Sequence, residues 1–262
     1  MKIAVLVSVG RHPVSGTARY SRNDAAALAM ALGLAKQHHA TLDVIHAGDP
    51  SNPALNDYLA LGARTVEVLT VPATSDLPPN PVARLADRLK GYDLVLTGTR
   101  AEGAFDSGML PYRVASALNV PLVGAAVELT LRDGCAEVRQ FMPKGLRRRV
   151  DVQLPALIAV HPLANATPTY AYARLREGTI RPTAAPATLD AAANADDLAW
   201  TTRPAVAKPV RLAAAEKRSG HARMLSATTT ESRGGSVVIE GSSVEKAQVI
   251  LAYLREHQLV DY

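Results

Sequence analysis

Small and polar residues cluster in two loops that could hold a phosphorylated ligand. The first loop spans Ser8–Tyr20 and the second spans Gly98–Gly108, and each follows an apolar run. Each loop leads into a helix-like stretch, so two helix N-termini, near Ser21–Asp24 and Ser107–Met109, would face the same region. Free backbone N–H groups at a helix N-terminus attract phosphate. The pattern predicts a nucleotide site, and a purely structural pair of loops is the alternative.

Several other kinds of site are excluded by motifs that the sequence lacks. No GxxxxGK[ST] motif is present, which argues against a P-loop kinase or ATPase, and no GxGxxG follows the first apolar run. No GxSxG elbow is present to supply a serine nucleophile. No paired carboxylates, no nucleophile beside a base and no cluster of metal ligands stand out. We therefore expect no catalytic residues and no metal.

Composition excludes further classes of protein. The 262 residues include one cysteine, Cys135, which rules out an internal disulfide framework and a CxxC redox pair. Aromatic residues make up 4% and the net charge is +5, too few rings and too mild a charge to indicate nucleic-acid binding. No apolar run approaches the roughly 20 residues that span a bilayer, and no signal-peptide cleavage site follows the first run. We expect a cytoplasmic protein that binds no nucleic acid.

Alternating strands and helices must position the two loops. Strand and helix alternate four times before about residue 123, which is typical of a doubly wound, mostly parallel α/β sheet. Predicted strands are Ile3–Val9, Leu42–His46, Thr65–Val71, Asp93–Thr97 and Pro121–Leu131, and predicted helices are Ser21–Gln37, Ala54–Leu61, Pro81–Lys90 and Met109–Leu118. Ser21 and Asp24 predict a capping-box-like helix start. In the common order 3-2-1-4-5, the first and fourth strands flank the ligand crevice.

The second half of the sequence predicts an antiparallel addition and an extended arm. Arg132–Leu154 has a hairpin pattern, and a buried run, Ala156–Val160, follows it. Beyond residue 184 the apolar periodicity fades, as in a linker. A short strand, Ser236–Ile239, and an amphipathic helix, Val244–His257, are predicted near the end. The predicted parts are an α/β domain at 1–183, a linker at 184–220 and a C-terminal arm at 221–262.

Six segments, in order over about residues 1–182, resemble the β subunits of electron transfer flavoproteins, including the nitrogen-fixation-related branch. The segments are MKIAVLVSVGR, SRNDAAALAMALGL, TLDVIHAGDP, LALGARTVEVLTV, LTGTRAEGAFDSGMLPYRVASALNVPLV and LPALIAVHPLANATPTY. The second is similar to the family's NPxD-type helix start, and the fifth to its GxQAxDxDxxQxG block. The resemblance implies a fold like that of the adenine nucleotide α-hydrolases.

The resemblance also implies an electron carrier subunit rather than an enzyme. Family members pair with an α subunit that carries the redox-active FAD, while the β subunit holds AMP, or a second FAD in bifurcating members. Such a heterodimer shuttles electrons from a primary flavin dehydrogenase to a membrane quinone reductase or another acceptor. The cofactor contacts carried over to this sequence are Val7, Ser8, Val9, Ser21, Asp24, Ala47, Thr99, Arg100, Gly103, Asp106, Ser107, Gly108 and Met109.

The sequence departs from the family pattern in the crevice and in the docking segment. Ser21 stands where the family usually has Asn, and the loop at 98–108 is shorter and lacks the Asp-rich core. The family's leucine-led recognition loop, which anchors dehydrogenases, here reads TPTYAYARLREGTIR. The predicted docking residues are Tyr170, Tyr172, Arg174, Leu175 and Arg176. A stand-alone nucleotide-binding regulator and an adenylate-handling enzyme stay open as alternatives.

Overall fold

Apolar runs of the sequence form one large β-sheet flanked by helices. The computed structural model describes residues 1–12, 14–70, 81–100, 108–184, 219–221, 224, 240–257 and 259–260. The strands are β1 (Lys2–Val7), β2 (Val9–Arg11), β3 (Ala18–Tyr20), β4 (Thr41–Gly48), β5 (Thr65–Thr70), β6 (Leu94–Gly98), β7 (Leu122–Arg132), β8 (Cys135–Phe141), β9 (Arg147–Gln153), β10 (Ala156–Val160) and β11 (Thr179–Ala184). The helices are α1 (Arg22–His38), α2 (Leu55–Ala60), α3 (Val82–Arg88), α4 (Leu110–Leu118), α5 (Arg174–Glu177) and α6 (Ser243–Glu256), with a 3₁₀ turn at Pro143–Gly145.

The sheet is parallel over most of its width. Among the described residues its order is β11-β5-β4-β1-β6-β10-β7-β8-β9. Neighbouring strands from β11 to β7 run parallel, and β8 pairs antiparallel with both β7 and β9. The predicted parallel α/β sheet with an antiparallel addition is therefore confirmed.

The order 3-2-1-4-5 is wrong at its fifth position. The strand predicted as the fifth, β7, does not lie beside β6, because β10 lies between them. Every residue of β10 is buried, as expected for an interior strand of a parallel sheet. Residues of β7 are mostly half-buried, which suits the strand that begins the antiparallel addition.

The first predicted strand ends two residues early. β1 stops at Val7, and Val9 belongs to β2, which pairs with β3 in a separate antiparallel hairpin. The break falls at Ser8, whose backbone N–H donates to the Asp24 carboxylate (2.8 Å) instead of continuing the ladder. A side-chain acceptor 16 residues away thus ends the strand, and the apolar pattern alone does not reveal it.

The edge strand β11 is missing from the sequence-based prediction. It pairs parallel with β5 in an unbroken register from Thr179 to Ala184. Pro182 within it cannot donate to a ladder, so proline weakens the strand signal and is tolerated only at an edge. Ala184, where the linker was predicted to begin, is the last residue of this strand.

Helices cover both faces of the sheet. Along β1, Ile3, Val5 and Val7 pack in one buried cluster with residues of α1 and α2. Ala4 and Leu6 belong to a second cluster, with residues of α3 and α4. Successive strand residues point to opposite faces, so α1 and α2 cover one face and α3 and α4 the other.

The chain divides into two compact units, Met1–Thr202 and Arg203–Tyr262. In the second unit, α6 begins with a full capping box in which the Ser242 hydroxyl accepts from Glu245 N–H and the Glu245 carboxylate accepts from Ser242 N–H. The predicted helix Val244–His257 is confirmed to within one residue at each end. The predicted strand Ser236–Ile239 and nearly all of the predicted linker lie outside the described residues. Among the described helices, none has the length and apolar character needed to span a membrane.

Candidate functional site

The carboxyl ends of β1 and β6 form the switch point of the sheet. The two strands are adjacent and parallel, with Ile3 opposite Leu94. β1 leads through the β2–β3 hairpin to α1 on one face, whereas β6 leads to α4 on the other. Chain segments that diverge from neighbouring strands leave a crevice, and open α/β sheets bind ligands there.

Asp24 ties the two strand ends together at this crevice. Its carboxylate accepts from the Ser8 N–H (2.8 Å), the Ser8 hydroxyl (2.6 Å) and the Gly98 N–H (2.9 Å). The side chain is buried, and burial raises the pKa of Asp24 to about 6 although the Ser8 and Gly98 donors oppose the rise. The carboxylate therefore links α1 to the ends of β1 and β6 through three hydrogen bonds, and we call this set of hydrogen bonds the Asp24 brace.

Tyr58 completes the brace from α2. This residue is fully buried, and its hydroxyl donates to the Ser8 carbonyl (2.6 Å) and accepts from the Ser21 N–H (3.0 Å). The Ser21 hydroxyl accepts from the Asp24 N–H (3.4 Å). Only one of the two hydrogen bonds of the predicted capping box is therefore present. The Asp24 carboxylate accepts from Ser8 and Gly98, and the Tyr58 hydroxyl instead accepts from the Ser21 N–H. No sequence signal linked Tyr58 to this site, since it lies 37 residues from Ser21.

Two glycines let backbone segments approach closely at the crevice. A Cβ at Gly98 would lie 2.6 Å from Asn23 Cβ and would also contact the Asp24 carboxylate, so no side chain fits there. Gly108 has a φ of +69° and lies against the Thr99 carbonyl, 3.4 Å from where its Cβ would be. This left-handed turn leads directly into α4, whose N-cap residue, Met109, makes no side-chain cap hydrogen bond.

His46 lies beside the crevice at the end of β4. It is buried, and burial lowers the pKa of the His46 imidazole. Its Nδ1 lies 2.8 Å from the Val7 carbonyl, so Nδ1 carries the proton and donates. The neighbouring Gly48 has no room for a side chain, since a Cβ there would lie 2.6 Å from His46 Nε2. His46 thus supports the end of β1.

The structure brings most of the predicted cofactor residues to one edge of the sheet. Val7, Ser21 and Asp24 are buried there, and Ser8, Val9, Ala47, Thr99 and Gly108 are half-buried. Arg100 and Met109 are exposed. Gly103, Asp106 and Ser107 lie outside the described residues. Among the described residues, no group of three or more His, Cys, Asp or Glu side chains could hold a metal ion.

The predicted docking segment, residues 170–176, packs against α2. Its side chains differ in how far they are exposed. Tyr170 donates to Asp57 (2.9 Å) and meets Tyr172 edge to face, with ring centroids 5.5 Å apart. Tyr172 is 77% exposed, whereas Leu175 is half-buried and packs against the core cluster under α1 and α2. The Arg174 guanidinium donates to the Thr169 carbonyl (3.0 Å), so it stabilises the backbone of the docking segment. Tyr172 is therefore better presented to a partner than Leu175. Arg176 is also exposed.

The Asp24 brace predicts a characteristic dependence of stability on pH. The folded-state pKa of about 6 lies above the ordinary 3.8, so the stability from neutral Asp24 is complete below pH about 4 and is lost as pH rises through about 6. A shift of this size corresponds to about 3 kcal/mol. We expect the free energy of unfolding of the wild type, measured in urea, to fall relative to that of Asp24→Asn between pH 4 and 7. If the free energies of unfolding of the two proteins changed with pH in the same way, the raised pKa of Asp24 would be contradicted.

Comparison with known proteins agrees with the resemblance found in the sequence. A family model described as the electron transfer flavoprotein domain matches residues 15–197. The chain is also 34% identical over 267 residues to the electron transfer flavoprotein subunit beta of Chromohalobacter salexigens. That match covers 99% of this chain and 96% of the relative. The chain therefore belongs to the electron transfer flavoprotein family, among its β subunits.

Proposed function

We propose that this chain pairs with an α subunit and serves as the scaffold and docking subunit of a heterodimeric electron carrier. The α subunit holds the FAD, which supplies the redox chemistry. The heterodimer takes electrons from a primary flavin dehydrogenase and passes them to a membrane quinone reductase or another acceptor. The observation that carries the proposal is the likeness to a β subunit over nearly the whole length of both chains.

The crevice residues fit an AMP molecule as the structural ligand of this subunit. Gly98 lets α1 pack closely against the end of β6, Gly108 makes the left-handed turn before α4, and α4 begins without a side-chain cap or an acidic residue in its first turn. The Asp24 carboxylate already offsets the positive end of α1. The AMP phosphate is therefore favoured at the start of α4. The uncharged adenosine is favoured beside β1 and α1.

The division of cofactors gives a direct test of the proposed function. We expect the chain purified alone to be colourless and the chain co-purified with its α subunit to be yellow. The complex, denatured in acid, should release AMP that chromatography and mass spectrometry detect. Replacing Asp106 and Ser107 by Ala should lower AMP content and thermal stability together, because a ligand that binds only the folded state stabilises it.

The outcomes separate the proposal from its competitors. One tightly bound flavin per isolated chain would favour an autonomous or bifurcating flavoprotein. A complex that is yellow but releases no AMP would support the role of electron carrier and contradict the proposal that the crevice binds AMP. Failure to pair with any α subunit would favour a stand-alone nucleotide-binding regulator.

Tyr172 and its neighbours form the candidate docking surface for the dehydrogenase. Exposed tyrosine and arginine side chains are common anchors of interfaces, and Tyr172 presents the larger exposed ring. We expect Tyr172→Ala to slow electron transfer from the dehydrogenase by about tenfold, the cost of one interface anchor, with flavin content unchanged. The matched control is Tyr112→Ala, another tyrosine more than half exposed, which lies on α4. Equal rates for the two variants would remove the segment from docking.

A further inference from the structure

The start of the docking segment is attached to α2 by a side-chain and a backbone hydrogen bond. The Tyr170 hydroxyl donates to the Asp57 carboxylate (2.9 Å). The next residue, Ala171, donates its N–H to the Ala60 carbonyl (2.9 Å). The Ala171 bond fixes the backbone, whereas the Asp57 bond fixes the outer end of the Tyr170 side chain. Asp57 therefore controls a side-chain orientation that the backbone alone leaves free.

α2 gives Asp57 a fixed position. Four of the six residues of this helix are buried, and the Tyr58 hydroxyl is hydrogen-bonded to the Ser8 carbonyl and the Ser21 N–H. Asp57 precedes Tyr58 and is half-buried. A side chain on a well-packed helix holds its partner more precisely than a side chain on a loop does. The Asp57 carboxylate is therefore a firmly held acceptor for Tyr170.

Tyr170 in turn orients Tyr172, the ring that the docking segment exposes most. The two rings meet at 68°, edge to face, with centroids 5.5 Å apart. This is a preferred geometry of aromatic pairs. Because Tyr172 is 77% exposed, few other contacts restrict its rotation. A side chain that is ordered before binding loses less conformational entropy when a partner binds, so this ring contact favours docking.

We propose that Asp57 is a positioning residue for the flavin dehydrogenase: it holds Tyr170, and Tyr170 holds Tyr172 in the orientation that the dehydrogenase binds. The inference rests on the proposed docking surface. Asp57 acts through the two tyrosines and touches no flavin. Its loss therefore weakens the encounter of the two proteins and leaves electron transfer within their complex unchanged.

The test measures the reduction of the heterodimer by a flavin dehydrogenase that reduces the wild type, over a range of heterodimer concentrations. Asp57→Ala and Tyr170→Phe should each raise the KM for the heterodimer by about three- to tenfold, the range of one hydrogen bond, with kcat unchanged. The double variant should match the single ones, because both remove the same bond. Asp57→Asn keeps an oxygen acceptor and should stay within about twofold of wild type.

A matched control removes a charge of the same sign elsewhere. Asp87 lies on α3, on the other face of the sheet, and pairs with Lys90 (2.7 Å), so Asp87→Ala should leave KM unchanged. An equal rise in KM with Asp87→Ala, or with Asp57→Asn, would overturn the inference, since net charge would then explain the effect.

Tyr172→Ala separates the inference from the proposed function. If Tyr172→Ala raises KM but Asp57→Ala and Tyr170→Phe do not, the docking surface stands and the positioning role of Asp57 is wrong. If Tyr172→Ala leaves KM unchanged, the docking surface and the inference are both wrong. A fall in kcat at unchanged KM in the Asp57 variants would also contradict a role in docking.

Discussion

Removal of residues 186–262 is expected to leave a folded core that no longer binds the α subunit. The cut preserves the whole described sheet, because its edge strand β11 ends at Ala184. The removed part carries α6, which has no buried residue and exposes Val244 (64%) and Ile250 (61%). Within the described residues of the arm, α6 buries too little surface to be stable alone, so we propose that the arm packs on the α subunit. Co-purification of tagged chains measures binding, and circular dichroism checks that the core melts cooperatively.

A point variant in the full-length chain keeps this prediction independent of the cut. Ile250→Glu places a charge on the exposed apolar surface of α6 and should weaken the complex at least about tenfold, the penalty of one buried unpaired charge. Gln248→Glu adds the same charge at an exposed polar position of the same helix and should have little effect. If the truncated chain binds the α subunit with undiminished affinity, the arm has another role.

Most strands and helices were predictable because local pattern and tertiary environment agree, whereas β2, β3, β11 and α5 were not predicted. The β10 sequence ALIAV is apolar throughout, so its burial was predicted correctly. The hairpin of β7 and β8 turns at Asp133 and Gly134, both with positive φ, where turn residues were recognised. The order of the strands was not predictable in full, because no local sequence pattern indicates that β10 lies between β6 and β7.

The candidate site was predictable only in outline. Strand alternation located the crevice at the ends of β1 and β6, but hydrogen bonds between distant residues determine what each side chain does there. Asp24 was expected as a cofactor contact, and its carboxylate is engaged by Ser8 and Gly98. Tyr58 was not expected at all. Such roles depend on three-dimensional proximity across tens of residues.

Replacing Gly98 by alanine is expected to disrupt the switch point. A Cβ at this position would lie 2.6 Å from Asn23 Cβ and 2.9 Å from the Asn23 carbonyl carbon, and it would also meet the Asp24 carboxylate. These atoms belong to the first turn of α1, so relief requires α1 and β6 to move apart. That movement stretches the 2.9 Å hydrogen bond from the Gly98 N–H to Asp24. Overpacking and the lost bond together should lower the free energy of unfolding by about 2–4 kcal/mol.

Gly33→Ala is the control for this substitution, because it adds the same methyl group at an open position of α1, the helix that Gly98 contacts. Gly33 lies in α1 with nothing within 4 Å of its would-be Cβ, so alanine there should raise the free energy of unfolding by about 0.5–1 kcal/mol. Opposite signs for the two Gly→Ala changes, measured by urea unfolding, would show that the loss at Gly98 comes from a steric conflict and not from the added methyl group as such. AMP released from the complex should fall in Gly98→Ala and stay at the wild-type level in Gly33→Ala. Equal stability of both variants would mean that β6 and α1 are not in close contact at Gly98, and the brace through Asp24 would then need another explanation.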